Sequence, residues 1–171
     1  MCVYFKLLFM GRKAMEINMV IIYILIGLVF LLSDFFTKQY ILANVPLGET
    51  FGSFTSLINF TYIQNKGAAF SLLNGRLELL SLISVVFCIA IIVYIIIKKP
   101  THKLLCISLS MLLSGALGNA IDRIFYGFVV DFIETTFVDF AIFNIADIAI
   151  TVGAILLAIY AIFFDKDAKN G

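Results

Sequence analysis

Apolar positions along the chain gather into four runs, at about 17–32, 77–97, 104–121 and 140–164. Each is close to the roughly 20 residues that a helix needs to cross the hydrocarbon core of a bilayer. The first run is preceded by Arg12, Lys13 and Glu16 and followed by the polar pair Ser33-Asp34. No small-x-small cleavage pattern closes it and further apolar runs follow, so it reads as an uncleaved first span and not a signal peptide. The second and third runs are separated by the short basic turn Lys98-Lys99-Pro100-Thr101-His102-Lys103, and the fourth ends in Asp165-Lys166-Asp167-Ala168-Lys169. An even number of spans puts both termini on one side.

Between the first two spans lies a connection at about 41–76, the one stretch with room for other structure. Its segment FTSLINFTYI at 54–63 is dense in Thr, aromatic and β-branched residues, which predicts one or two short strands at the membrane surface. The segment Ala68-Ala69-Phe70-Ser71-Leu72-Leu73 predicts a short interfacial helix. Phe54, Phe60, Tyr62 and Phe70 read mainly as interfacial anchors. The fold class expected is an all-α integral membrane protein of one domain, 1–171, with a small β-rich insertion. Met15 offers a second possible start, and nothing else in the reading depends on residues 1–14.

Composition agrees with the pattern: 63% of the 171 residues are hydrophobic, 13% are charged, and mean hydropathy is +1.10. A soluble domain is nearer to about 45–50% apolar. A net charge of +1 with no basic stripe gives no footprint for nucleic acid. Cys2, Cys88 and Cys106 are widely spaced and form no metal or redox motif. His102 is the single histidine, so a His-based zinc site, a Ser-His-Asp triad and a Cys-His pair all lack their central residue. No cofactor and no metal are expected.

Charge placement orients the chain. The N-terminal lead, the 98–103 turn and the tail hold eight of the twelve Lys and Arg residues, which marks their side as cytoplasmic. Eight of the eleven carboxylates, among them Asp34, Asp122, Asp131 and Asp147, then belong to the outer side or to the outer ends of spans. Ionisable groups at such depth cost about 2.5–3.5 kcal/mol each at a span centre and call for a reason.

Asn119 and Arg123 are four apart, and Asn144 and Asp147 three apart, so on helices each pair shares a face. Ser114-xxx-Gly118 and Ala149-xxx-Gly153 allow the third and fourth spans to approach closely. That packing would bring Asp131 and Asp147 together. Two carboxylates in a poorly hydrated site hold one proton between them, so one serves as base and the other as acid. Such a pair can hydrolyse a peptide without a covalent nucleophile. Residue pattern alone leaves alternatives open: a proton or ion carrier using the same carboxylates, an Asp122–Arg123 interfacial ion pair, or Asp147 as a helix N-terminal carboxylate.

The blocks Asn65-Lys66-Gly67-Ala68-Ala69-Phe70-Ser71, GNAIDR at 118–123, VVDFI at 129–133 and FNIAD at 143–147 resemble, in order and spacing, those of bacterial lipoprotein signal peptidase, also called signal peptidase II. The resemblance extends from about Met19 to Phe164, leaving residues 1–14 unmatched. It implies an intramembrane aspartic endopeptidase of the bacterial cytoplasmic membrane, with its site on the extracytoplasmic face. Its substrates would be diacylglyceryl-modified prolipoproteins, cut just before the lipidated cysteine. Carried over by motif, Asp131 and Asp147 match the catalytic aspartates, and Asp122 does not. Asn65, Gly115, Asn119, Arg123, Asn144 and Ala146 match supporting or substrate-contacting positions. Asp34 and Lys38 match a further block, read as a structural i,i+4 pair fixing the end of the first span. The resemblance also implies a surface β-cradle, membrane lipids and globomycin-type inhibitors as ligands, and a monomer is expected.

Overall fold

The computed structural model describes residues 2–67 and 76–165, with side chains described from Val20 onward. The interfacial helix expected at 68–73 lies outside the described residues. The elements run in the order α1 (Cys2–Asn44), β1 (Thr50–Phe54), β2 (Ile58–Asn65), α2 (Leu77–Lys98), α3 (Lys103–Tyr126), β3 (Val129–Thr135) and α4 (Ile145–Phe163). Each of the four helices contains a stretch long and apolar enough to cross a membrane: Val20–Asn44, Leu77–Lys98, Lys103–Tyr126 and Ile145–Phe163.

Two helices extend beyond their expected ends, and one cause explains both. The first span was expected to stop at Ser33-Asp34 and the third at Ile121, where charged residues begin. Helix α1 instead continues to Asn44 and α3 to Tyr126, because Asp34, Lys38 and Asp122 are buried and paired with one another. The Asp34–Lys38 pair thus lies inside α1 and does not mark its end. The stops are local: Pro46 disfavours helix at the residue before it, and Gly127, at φ +74, closes α3 in the left-handed conformation. Lys99, also left-handed, closes α2 just before Pro100.

The fourth helix starts later than expected, at Ile145 in place of 140. Asn144 caps it by accepting from Asp147 N, while the Asp147 carboxylate accepts from Asn144 N, a reciprocal capping box. Residues before it cannot join the helix because Phe143 pairs its backbone with Ile133.

Helix α3 is the centre of the bundle. Two-thirds (67%) of its most apolar window is buried, against 11–17% for the other three, whose apolar faces therefore point outward. It packs on α4 through small residues. A Cβ at Gly153 would come within 3.0 Å of Leu112 and of the Ser108 carbonyl, and one at Gly115 would overlap the Ala146 carbonyl oxygen. Glycine at these positions permits backbone-to-backbone approach.

The small antiparallel sheet has the order β1-β2-β3. Strands were expected only at 54–63; β3 was not anticipated, and it completes the sheet from a point far along the chain. Asn65 pairs with Val129 and Ile63 with Asp131. Asn65 and Asp131 are consequently diagonal neighbours on adjacent strands, within reach of each other's side chains.

Candidate active site

Asp131 sits on β3 and is buried, 2% exposed. Its Oδ2 accepts from Asn65 Nδ2 at 2.9 Å and its Oδ1 from Asn144 Nδ2 at 2.7 Å. Asp147 lies in the first turn of α4 and is half-buried. Its Oδ1 accepts from Asn119 Nδ2 at 2.8 Å and its Oδ2 from the backbone N–H of Asn144 at 3.2 Å. Asn144 therefore bonds to both carboxylates. Its remaining side-chain contacts are donations to Asn119 Oδ1 at 3.1 Å and to the Val130 carbonyl at 3.4 Å, with Oδ1 accepting from Asp147 N at 2.9 Å.

Burial pushes the Asp131 carboxyl up to about 7, and the negative charge of Asp147 adds to the rise. The amides of Asn65 and Asn144 and the charge of Lys38 oppose it. A carboxyl in that range carries a proton much of the time near neutrality, the condition for acid–base work there.

The supporting residues converge on this pair. Asn119 and Arg123 share a face of α3, as expected. Asn119 accepts at Oδ1 from Lys38 and Asn144 and donates to Asp147, which fixes which end of its amide faces which charge. Arg123 donates to the carbonyls of Asn119 and Gly67, each at 3.4 Å, tying α3 to the end of β2. It forms no ion pair with Asp122. Asp122 instead pairs with Lys38 at 3.0 Å and accepts from Val130 N. Asn65 does two things at once: its Oδ1 accepts from Gly67 N in a turn, while its amide reaches Asp131. Asn144 and Asp147 do not share a helical face, because Asn144 is the cap. Gly115 has no side chain to offer and acts by giving room to Ala146, whose N–H bonds Asp34 Oδ1 at 2.9 Å.

A cavity of about 430 Å³ opens onto the two carboxylates. Its polar lining is Asn65, Asn119, Arg123, Asp131, Asp147 and Thr151, and its apolar wall includes Val129, Phe140, Ile142, Phe143, Ile148 and Val152. A second cavity, about 260 Å³, shares Asn119, Arg123, Asp147 and Ile150 and extends along α2 past Leu80, Ile83 and Phe87. Asp147 thus stands where the two meet. The apolar wall was not anticipated from the sequence; Phe140 and Ile142 precede α4 outside any helix, where helix was expected. Among the described residues, no group of three or more His, Cys, Asp or Glu side chains is arranged to hold a metal ion.

Four apolar helices enclosing a polar, carboxylate-bearing cleft define a multi-pass membrane protein with a site suited to acid–base chemistry. The model of the family described as signal peptidase (SPase) II matches residues 24–163. The chain belongs to that family and is a membrane peptidase. A lipoprotein signal peptidase of Streptococcus pneumoniae is 40% identical over 159 residues, 93% of this chain and 99% of that one. One of Lactobacillus johnsonii is 37% identical over 145 residues, 85% and 94% of the two chains. A solved bacterial membrane enzyme superposes with a TM-score of 0.80 at 34% identity, covering 87% of this chain and 92% of its own.

Proposed function

We infer that the chain removes the signal peptide from diacylglyceryl-modified prolipoproteins, cutting just before the lipidated cysteine, with Asp131 and Asp147 as the catalytic pair. The observation carrying this reading is that two carboxylates from different elements line one mostly apolar cavity and are joined through Asn144. Membership of the signal peptidase II family favours it over the proton- or ion-carrier alternative.

In the proposed reaction Asp147, the more accessible carboxylate, takes a proton from water as the water oxygen attacks the scissile carbonyl carbon. Asp131 gives its proton to the carbonyl oxygen. In the collapse of the tetrahedral intermediate, the C–N bond breaks, the leaving nitrogen receives the proton held by Asp147, and a hydroxyl proton returns to Asp131. The two cavities meeting at Asp147 suit an extended chain with apolar groups on either side of the cut bond. Asn65, Asn119, Arg123 and Asn144 orient the carboxylates and offer hydrogen bonds to the substrate backbone. By the distribution of Lys and Arg, both termini are cytoplasmic and the cleft faces outward from the bacterial cytoplasmic membrane. Globomycin-type inhibitors would occupy the same cleft, and the protein would act as a monomer among membrane lipids.

The deciding assay compares a diacylglyceryl-modified precursor with its unlipidated counterpart. Purified protein should cleave only the first and leave the modified cysteine at the new amino terminus. Equal cleavage of both, or none, would refute the reading.

A further inference from the structure

We propose that Lys38, Asp34 and Asp122 form a buried clamp that positions both catalytic aspartates, acting through the backbone immediately before each of them. The inference rests on the peptidase reading above.

The Lys38 ammonium is 1% exposed and spends all three of its N–H donors. It reaches Asp34 Oδ2 at 2.8 Å, Asp122 Oδ2 at 3.0 Å and Asn119 Oδ1 at 3.1 Å. The two carboxylates then each accept one backbone N–H. Asp34 Oδ1 takes that of Ala146 at 2.9 Å, and Asp122 Oδ2 takes that of Val130 at 3.0 Å. Ala146 directly precedes Asp147, and Val130 directly precedes Asp131. The third route runs through Asn119, whose amide donates to Asp147 Oδ1. Every donor of Lys38 thus leads to a catalytic aspartate or to the peptide unit that carries it.

Stability alone does not account for three buried charges. Replacing such a group by apolar side chains is often neutral or stabilising, because desolvation offsets much of the ionic attraction. What the charges supply is direction. The strand and the helix that bear the aspartates come from different parts of the chain, and α1 and α3 fix them to a common point. Gly118 belongs to the same arrangement, since a Cβ there would stand 2.7 Å from Asp34 Oδ2. Lys38, Asp34 and Asp122 are positioning residues in this account.

The test uses the full chain in detergent with a diacylglyceryl-modified precursor. Asp34→Asn and Asp122→Asn keep an oxygen for the Ala146 or Val130 N–H but weaken the hold on Lys38; Asp34→Ala and Asp122→Ala lose both. The clamp predicts a fall in kcat of about tenfold for the asparagine variants and on the order of 10²-fold for the alanine variants, with KM nearly unchanged. Lys38→Met should also move the alkaline limb of the rate profile to higher pH. The charges acting on Asp131 are Lys38 from α1, Arg123 from α3 and Asp147 from α4, with Asp122 of α3 paired to Lys38, while β2 contributes the neutral Asn65. Withdrawing the cation leaves Asp131 harder to ionise. Asparagine variants with unchanged kcat would overturn the clamp even if the alanine variants fail to fold. A Lys38→Met profile at the wild-type pH, in a folded protein, would do the same. If Asp131→Asn and Asp147→Asn stay active, the peptidase site itself is misassigned; if those two are inactive while the clamp variants keep full kcat, only the clamp fails.

Discussion

Asn144 donates its side-chain amide to Asp131 at 2.7 Å and, through its backbone N–H, bonds the carboxylate of Asp147 at 3.2 Å. Its side-chain oxygen meanwhile caps α4. One residue therefore sets where α4 begins and how its carboxylate stands relative to that of β3.

These two duties can be separated. Asn144→Ser keeps an N-cap oxygen, whereas Asn144→Ala keeps neither function. The alanine variant should unfold about 1 kcal/mol more easily, and serine should restore most of that. Neither restores the amide to Asp131, so both should lose kcat to a similar extent. Thermal unfolding alongside turnover of a lipidated precursor checks this, and serine recovering both properties together would contradict it.

Asp131→Asn and Asp147→Asn each remove one carboxylate from the pair while preserving shape. General acid–base groups contribute about 10²–10⁴-fold, so each variant should lose at least about 10²-fold in kcat. Binding of globomycin should survive at measurable affinity, since the cavity wall is mostly apolar. The paired measurement distinguishes a lost proton-transfer group from a collapsed site.

The elevated Asp131 carboxyl gives the pH dependence a sign. With its pKa raised from 3.8 to about 7, the folded state binds a proton more tightly than the unfolded chain does. Stability should therefore decline as pH rises through that interval and level off above it. Activity should fall on the alkaline side with a midpoint near 7, as Asp131 loses the proton it donates. Melting temperatures from about pH 4 to about pH 8 should show the decline in the wild type and a flatter course in Asp131→Asn.

Much of this was readable before the fold was known, and several exceptions arise where the deciding partner lies elsewhere in the chain. The four spans are local apolar runs, and the motif blocks carry their own order. Helix ends were misread at Ser33-Asp34 and Ile121 because Asp34 and Asp122 are both buried against Lys38, four residues on within α1 for Asp34 and across elements for Asp122. Nothing within the third run reveals the partner of Asp122, whereas Lys38 is legible as the i,i+4 partner of Asp34. Strand β3 escaped for a similar reason: VVDFI is short and apolar, and what makes it a strand is pairing with β2, from Ile58↔Thr135 to Asn65↔Val129. The start of α4 was legible in principle. Asn144 and Asp147 have the spacing of a capping box, but reading them as one helical face hid it.

Gly115 offers a test of how tightly the site depends on packing. A Cβ there would overlap the Ala146 carbonyl oxygen and lie 2.7 Å from Ile150 Cγ1, and only the isoleucine can turn aside. Gly115→Ala should therefore push the start of α4 away from α3. Overpacking of this kind costs about 1–3 kcal/mol in stability. The displaced turn carries Asp147, and a shift of roughly 1 Å can cost on the order of 10²-fold in rate. Gly127→Ala is the comparison: it is strained by its φ of +74, yet its Cβ would meet nothing within 4 Å. It should lower the melting temperature while leaving kcat near wild type. Equal activity in the two variants at matched stability would show that Gly115 serves only to pack the helices.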